Sequence, residues 1–252
     1  KNMQVFNTLL RRELGIYFGS LNGYVIVSTA LLMVGVCFSD LVMRLNMEPT
    51  DMTLTEMFFS SWYFWLIMLL SAPLITMRSF ASEKSSNTYE TLMTTPVTDI
   101  QVLMSKFCGA LSFHAIIWLP VMLSMLIIRF YVNDAKVVNI PAVFTTYFAI
   151  LLVGALYMAT GCFSSSITRS QIVAGMISFT LGMGLFILSY KALYIMPETG
   201  PMLQLLTKLS LADYMNDSSR AILDTRPLIF IGSLTFFFLF ATYHILQWRR
   251  WR

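Results

Sequence analysis

Residues 107–128 read FCGALSFHAIIWLPVMLSMLII, with no formal charge from Phe107 to Ile128. A helix rises about 1.5 Å per residue and the hydrocarbon core of a bilayer is about 30 Å thick, so roughly 20 apolar residues span it. This stretch has that length, and others on either side match it. Leu14–Ser39, Met57–Met77, Val137–Thr168, Ser170–Tyr190 and Pro227–Trp248 are each long enough and free of formal charge. Pro141 suits a helix start, which places the fourth span at about 141–163. Composition agrees. Of the 252 residues, 57% are apolar and 12% charged, against roughly 25% charged in soluble proteins. A soluble fold of this size needs a larger polar shell. The sequence predicts an all-α polytopic membrane protein, a single transmembrane domain over 1–252. Its six transmembrane helices fall at about 20–42, 57–77, 105–128, 141–163, 170–190 and 227–248. A soluble enzyme, a disordered tail and a secreted disulfide scaffold are excluded.

Six spans put both termini on one side of the membrane. Ten Lys/Arg then fall on the termini side and seven on the other. Cationic residues favour the cytoplasmic side, so both termini are expected there. The closing Trp248-Arg249-Arg250-Trp251-Arg252 sets aromatic rings at headgroup depth beside cations. The net charge of +4 is not gathered into a basic face, so nucleic acid is not an expected partner. No cleavage site with small residues follows the polar start, so the first span is expected to be retained.

The polar pieces carry the remaining information. Met3, Phe6, Leu10, Leu14 and Tyr17 recur at three- and four-residue steps, with Arg11, Arg12 and the neighbouring Glu13 beside them. This predicts an amphipathic interfacial helix over about 3–18 whose cations face anionic headgroups. Gly15, Gly19, Asn22 and Gly23 predict a bend before the first span. Between the second and third spans, Asn87 and Glu90 form a capping-box variant. Pro96 stops the short helix that this starts. Such a helix between two spans is either an ordinary solvated loop helix or a shape that receives force from another protein. In the fifth span Ala174, Ser178 and Gly182 line one face, and small residues at that spacing let helices pack closely, in the same chain or in a second copy.

Four stretches together resemble the membrane subunit of a type-2 ABC exporter, nearest the gliding-motility and nitrous-oxide-reductase-maturation branch. They are Arg12-Glu13-Leu14 through Tyr24-Val25, Arg78-Ser-Phe80-Ala81-Ser-Glu83 with Thr88-Tyr-Glu90-Thr-Leu92 and Pro96, Ser164 through Ala174, and Ala221-Ile-Leu-Asp224-Thr-Arg226-Pro. Their order and spacing cover nearly the whole chain. Two positions depart from the family pattern: Asn87 stands where glycine is common, and Leu21-Asn22 where the first bend often holds proline.

The resemblance implies a bacterial inner-membrane permease that pairs with a second copy of itself or a related permease. Two copies of a cytoplasmic ATPase would press on a coupling helix at about 83–96, with Glu83, Asn87, Thr88, Glu90, Leu92 and Pro96 as its coupling residues. It also implies short extracytoplasmic helices within 191–226 and an extracytoplasmic accessory protein. The chain contains no G-x-x-x-x-G-K-[ST], so ATP and Mg belong to the partner and no cofactor is expected on this chain.

Other chemistry finds little support. His114 and His244 have no acidic partner in their own spans. The 18 methionines lack a cluster with Cys or His, and packing explains them. Cys37, Cys108 and Cys162 lie in apolar stretches and form no metal motif. Two other classes fit the residues alone: a stand-alone channel or secondary transporter, and a membrane anchor for an extracytoplasmic partner.

Overall fold

The computed structural model describes residues 2–47, 52–86, 97–132, 138–194 and 210–250. Among these there are ten helices and no strand: α1 Asn2–Phe18, α2 Leu21–Met47, α3 Leu54–Ser60, α4 Trp62–Thr76, α5 Ala81–Ser85, α6 Asp99–Val132, α7 Ile140–Ile167, α8 Gln171–Tyr194, α9 Leu211–Ser219 and α10 Thr225–Arg250. Six stretches are long and apolar enough to cross a bilayer: Leu21–Arg44, Trp62–Ser85, Asp99–Val132, Ile140–Ile167, Gln171–Ser189 and Thr225–Trp248. The chain is a polytopic, all-α membrane protein. Asn87, Thr88, Glu90, Leu92 and Pro96 lie outside the described residues, as does 195–209 of the segment before the last span.

Burial orders the bundle. α4 and α7 are mostly buried, whereas α2, α8 and α10 leave most of their apolar surface exposed. In lipid this is not a defect, because acyl chains solvate leucine as well as another helix does. The centre is aromatic. Phe58, Phe64 and Trp118 are fully buried and meet edge-on or tilted, with centroids 5.3–6.4 Å apart. Such pairs add to plain area burial.

Local signals explain where the helices differ from the predicted spans. The second span was expected from Met57, but the backbone breaks at Ser61, whose extended φ,ψ of −74°,138° separates α3 from α4. Thr53 starts α3 through a capping box with Glu56. Helix α6 runs 34 residues, about 51 Å, well beyond the expected 105–128. Its start is fixed by a second reciprocal cap: Thr98 N–H donates to Gln101 Oε1 at 3.2 Å and Gln101 N–H to Thr98 Oγ1 at 3.3 Å. α7 begins beside Pro141, as a proline in the first turn allows.

At the end away from the termini, α9 caps the bundle. Its Leu211, Tyr214 and Met215 are buried. The Ser218 carbonyl accepts from Thr145 Oγ1 at 2.7 Å and Thr146 Oγ1 at 3.3 Å, and the Ser219 carbonyl accepts from Thr55 Oγ1 at 3.0 Å. These hydroxyls satisfy carbonyls left open at the helix C-terminus. Arg220 Nε reaches Glu56 Oε1 at 2.6 Å, tying the exit of α9 to α3.

Candidate functional site

Four charged side chains meet at the termini-side end, where α1, α5 and α6 converge. Lys106 is 2% exposed and Glu13 4%. Lys106 Nζ lies 3.1 Å from Glu13 Oε1 and 2.8 Å from Glu83 Oε1. Arg12 bridges the same two oxygens at 2.9 and 3.1 Å. Two cations and two carboxylates thus close a neutral ring that joins three elements distant in sequence. The Phe80 ring, 5.4 Å from Lys106 Nζ, adds a cation–π contact on another side of the ammonium.

Local sequence makes the convergence possible. Gly109, one turn along α6 from Lys106, faces α1 so closely that an added Cβ would sit 3.0 Å from Glu13 Cβ. Tyr17 stacks on Phe113 at 4.9 Å, fixing the next turn of the α1–α6 contact. Burial alone would lower the pKa of Arg12; its hydrogen bonds to Glu13 and Glu83 and their charge outweigh that and raise it. Buried ion pairs return little net stability, yet losing one member leaves an uncompensated charge.

A second set of bonds clamps the turn between α4 and α5 to the end of α7. Ser165 Oγ accepts from the N–H groups of Phe80 and Ala81, both at 3.0 Å, and donates to the Met77 carbonyl at 3.3 Å. Lys84 Nζ donates to the Ser166 carbonyl. Phe80 and Ala81 are fully buried. The five-residue α5 is thus held on one side by α7 and on the other, through Glu83, by α1 and α6.

The predicted residues fall as follows. Glu83 is described, and its carboxylate turns toward Lys106 and Arg12. In α1, Phe6 and Leu10 are half-buried, Arg11 and Arg12 exposed and Glu13 buried. The face that packs on protein carries Leu9 and Glu13, whereas Met3, placed on the apolar stripe by its spacing, is 78% exposed. Ala174 and Ser178 are buried within this chain, and Gly182 sits against Tyr157 and Leu69, so the small-residue face of α8 packs on α7 and α4. His114 is buried against Gly154, while His244 is exposed beside Phe240.

Sequence reading missed Lys106 and the inward role of Glu13. A signal for Lys106 existed: a lone cation opening an apolar span, with no acid three or four residues away on its own helix, must find its counter-charge on another element.

The profile described as ABC-2 family transporter protein matches residues 19–244. The chain belongs to that family. No curated protein matches it. As a member of the ABC-2 family it is a multi-pass transmembrane permease component, in a family whose membrane subunits are generally non-catalytic and work with an ATPase partner. The ring of four charges stands at one end of this ABC-2 bundle, beside the short α5.

Proposed function

We propose that the chain is the permease subunit of an ATP-driven exporter, driven by a separate cytoplasmic ATPase that docks at the termini side. Within the ABC-2 family, the four resembling stretches support the gliding-motility and nitrous-oxide-reductase-maturation branch. The ATPase would bring ATP and Mg, and this chain would bind neither. The excess of Lys/Arg on the termini side supports a cytoplasmic location for that end, and the family resemblance supports residence in a bacterial inner membrane.

The observation that carries this reading is the linkage of α5. Ser165 and Lys84 hold it to α7, and Glu83 holds it to Lys106 on α6 and, through Arg12, to α1. A displacement of α5 is delivered to three spanning helices or their extensions at once. An ATPase dimer closing beneath 83–96 would then tilt these helices together, a shear of packed elements between two discrete states. The ATPase must favour one state by several kcal/mol, because a full population swing takes about 5.5. In this reading Asn87, Thr88, Glu90, Leu92 and Pro96 provide the contact surface. Glu83 transmits the load inward.

The test is reconstitution of the complex in vesicles. Glu83→Gln keeps shape but removes a charge from the ring, and is expected to leave ATPase binding intact while lowering transport-coupled ATP hydrolysis severalfold. Failure of any ATPase to co-purify would sink the reading; unchanged coupling in Glu83→Gln would remove the ring from the transmission path.

A further inference from the structure

Beside the ring, the start of α2, the end of α4, the start of α8 and the last turn of α1 enclose a cleft of about 220 Å³. Its walls are of two kinds. Ile16, Ile26 and Leu74 are apolar, while Asn22, Arg78 and Gln171 are polar. Ile16 is 50% exposed and Leu74 42%, so the cleft opens sideways from the bundle.

Its depth in the membrane follows from the chain on either side. Helix α4 is apolar from Trp62 to Thr76, and Arg78 comes two residues later. Asn22 lies in the first turn of α2, and Gln171 is the first residue of α8. Three span ends thus bring their polar residues to one level, where hydrocarbon gives way to headgroups.

The charge balance is uneven. Glu13, Glu83 and Lys106 also line the cleft, but with Arg12 they form the closed neutral ring. Arg78 is left over: among the described residues no carboxylate pairs with it. Turned so that its oxygen faces Arg78, the Asn22 amide accepts from both terminal nitrogens, which aims the guanidinium without neutralising it. A guanidinium presents five N–H donors in a planar fork matched to phosphate oxygens.

We propose that this cleft binds an anionic phospholipid, with its phosphate on Arg78, Asn22 as the positioning residue, and an acyl chain along Leu74 and Ile26. A free phosphate offers the same anion but nothing to cover the apolar walls, so the walls favour the lipid. The site stands apart from the ATPase reading, because lipid retention is measured on this chain without an ATPase.

Native mass spectrometry of the purified full chain in detergent, with phosphatidylglycerol, phosphatidylcholine or inorganic phosphate added, tests it. One phosphatidylglycerol is expected to be retained in preference to phosphatidylcholine. Arg78→Gln should lower its affinity roughly tenfold, the scale of one lost charge-assisted bidentate contact. Arg11→Gln, an exposed cation that does not line the cleft, should leave it unchanged. Because Arg78 is exposed, its replacement is expected to keep the unfolding midpoint. Should that midpoint fall, Arg78→Lys, which keeps charge but loses the fork, is expected to give an intermediate affinity. Equal retention in wild type and Arg78→Gln overturns the site. Equal loss in Arg11→Gln overturns it in favour of diffuse surface charge. Displacement of the lipid by equimolar inorganic phosphate, or equal retention of phosphatidylcholine, overturns the anionic lipid as its ligand.

Discussion

Lys106 contributes one positive charge to two carboxylates, and its value lies in what its removal leaves behind. Lys106→Met keeps length and apolar stem but leaves the half-exposed Arg12 as the one cation of the ring for Glu13 and Glu83. Breaking a buried pair from one side costs about 3 kcal/mol, and this variant is expected to lower the unfolding free energy in detergent by that order. Combining it with Glu13→Gln should cost at least ~1 kcal/mol less than the sum of the two, because the partners couple; strict additivity would mean that the ring is not a unit. Gly154 makes a steric prediction of the same kind. A Cβ there would lie 2.3 Å from His114 Nε2, and the imidazole is fully buried with little room to move. Overpacking of this kind costs about 2 kcal/mol. Gly154→Ala should therefore destabilise by about that much, and His114→Ala in the same chain should recover part of it. A neutral Gly154→Ala would show that α6 and α7 slide freely past one another.

At the scale of elements, the legible and the illegible separate by the range of the forces involved. Long charge-free stretches announce helical spans because a single segment in hydrocarbon satisfies its own backbone only as a helix. That signal is local, and the six candidate spans follow it. The limits of α6 were also written locally, in Thr98 and Gln101, but a reading that weighs only hydrophobic length passes over a polar cap. Ser61 gives less warning, since serine inside an apolar run breaks a helix only when the surroundings favour it. The ring was illegible for a different reason. Its members stand at 12, 13, 83 and 106, and no periodicity within one helix connects them. Ser165 is equally remote from the turn that it clamps. Its hydroxyl meets two N–H groups at the start of α5 that would otherwise be buried without partners. Ser165→Ala is expected to cost about 2 kcal/mol, the scale of a buried donor left unsatisfied. It should also raise amide exchange at Phe80 and Ala81 ahead of exchange in α7. Exchange that stays slow at both amides would show that the clamp does not hold α5.

For the whole molecule the outstanding question is direction, because a lever is useful only on the side where its engine lies. The two ends differ in chemistry. The termini side gathers α1, α5, Arg78, Arg169 and the arginines closing α10, while the opposite side carries α9 with Asp213, Asp217 and nearby Asp224. Burial raises the pKa of Asp217, and the neighbouring acids Asp213 and Asp224 add to the rise against the opposing pull of Arg220. Retention of cations on the cytoplasmic side during insertion turns that asymmetry into an orientation. In a variant with Cys37, Cys108 and Cys162 replaced, Arg11→Cys reports on one end and Asp224→Cys on the other, both being located outside the six candidate spans or within a residue of the last. In intact cells a membrane-impermeant maleimide is expected to label position 224 and to reach position 11 only after permeabilisation. The reverse pattern would place α5 away from ATP and remove the physical basis for driving the bundle through it, whatever the stability of the ring.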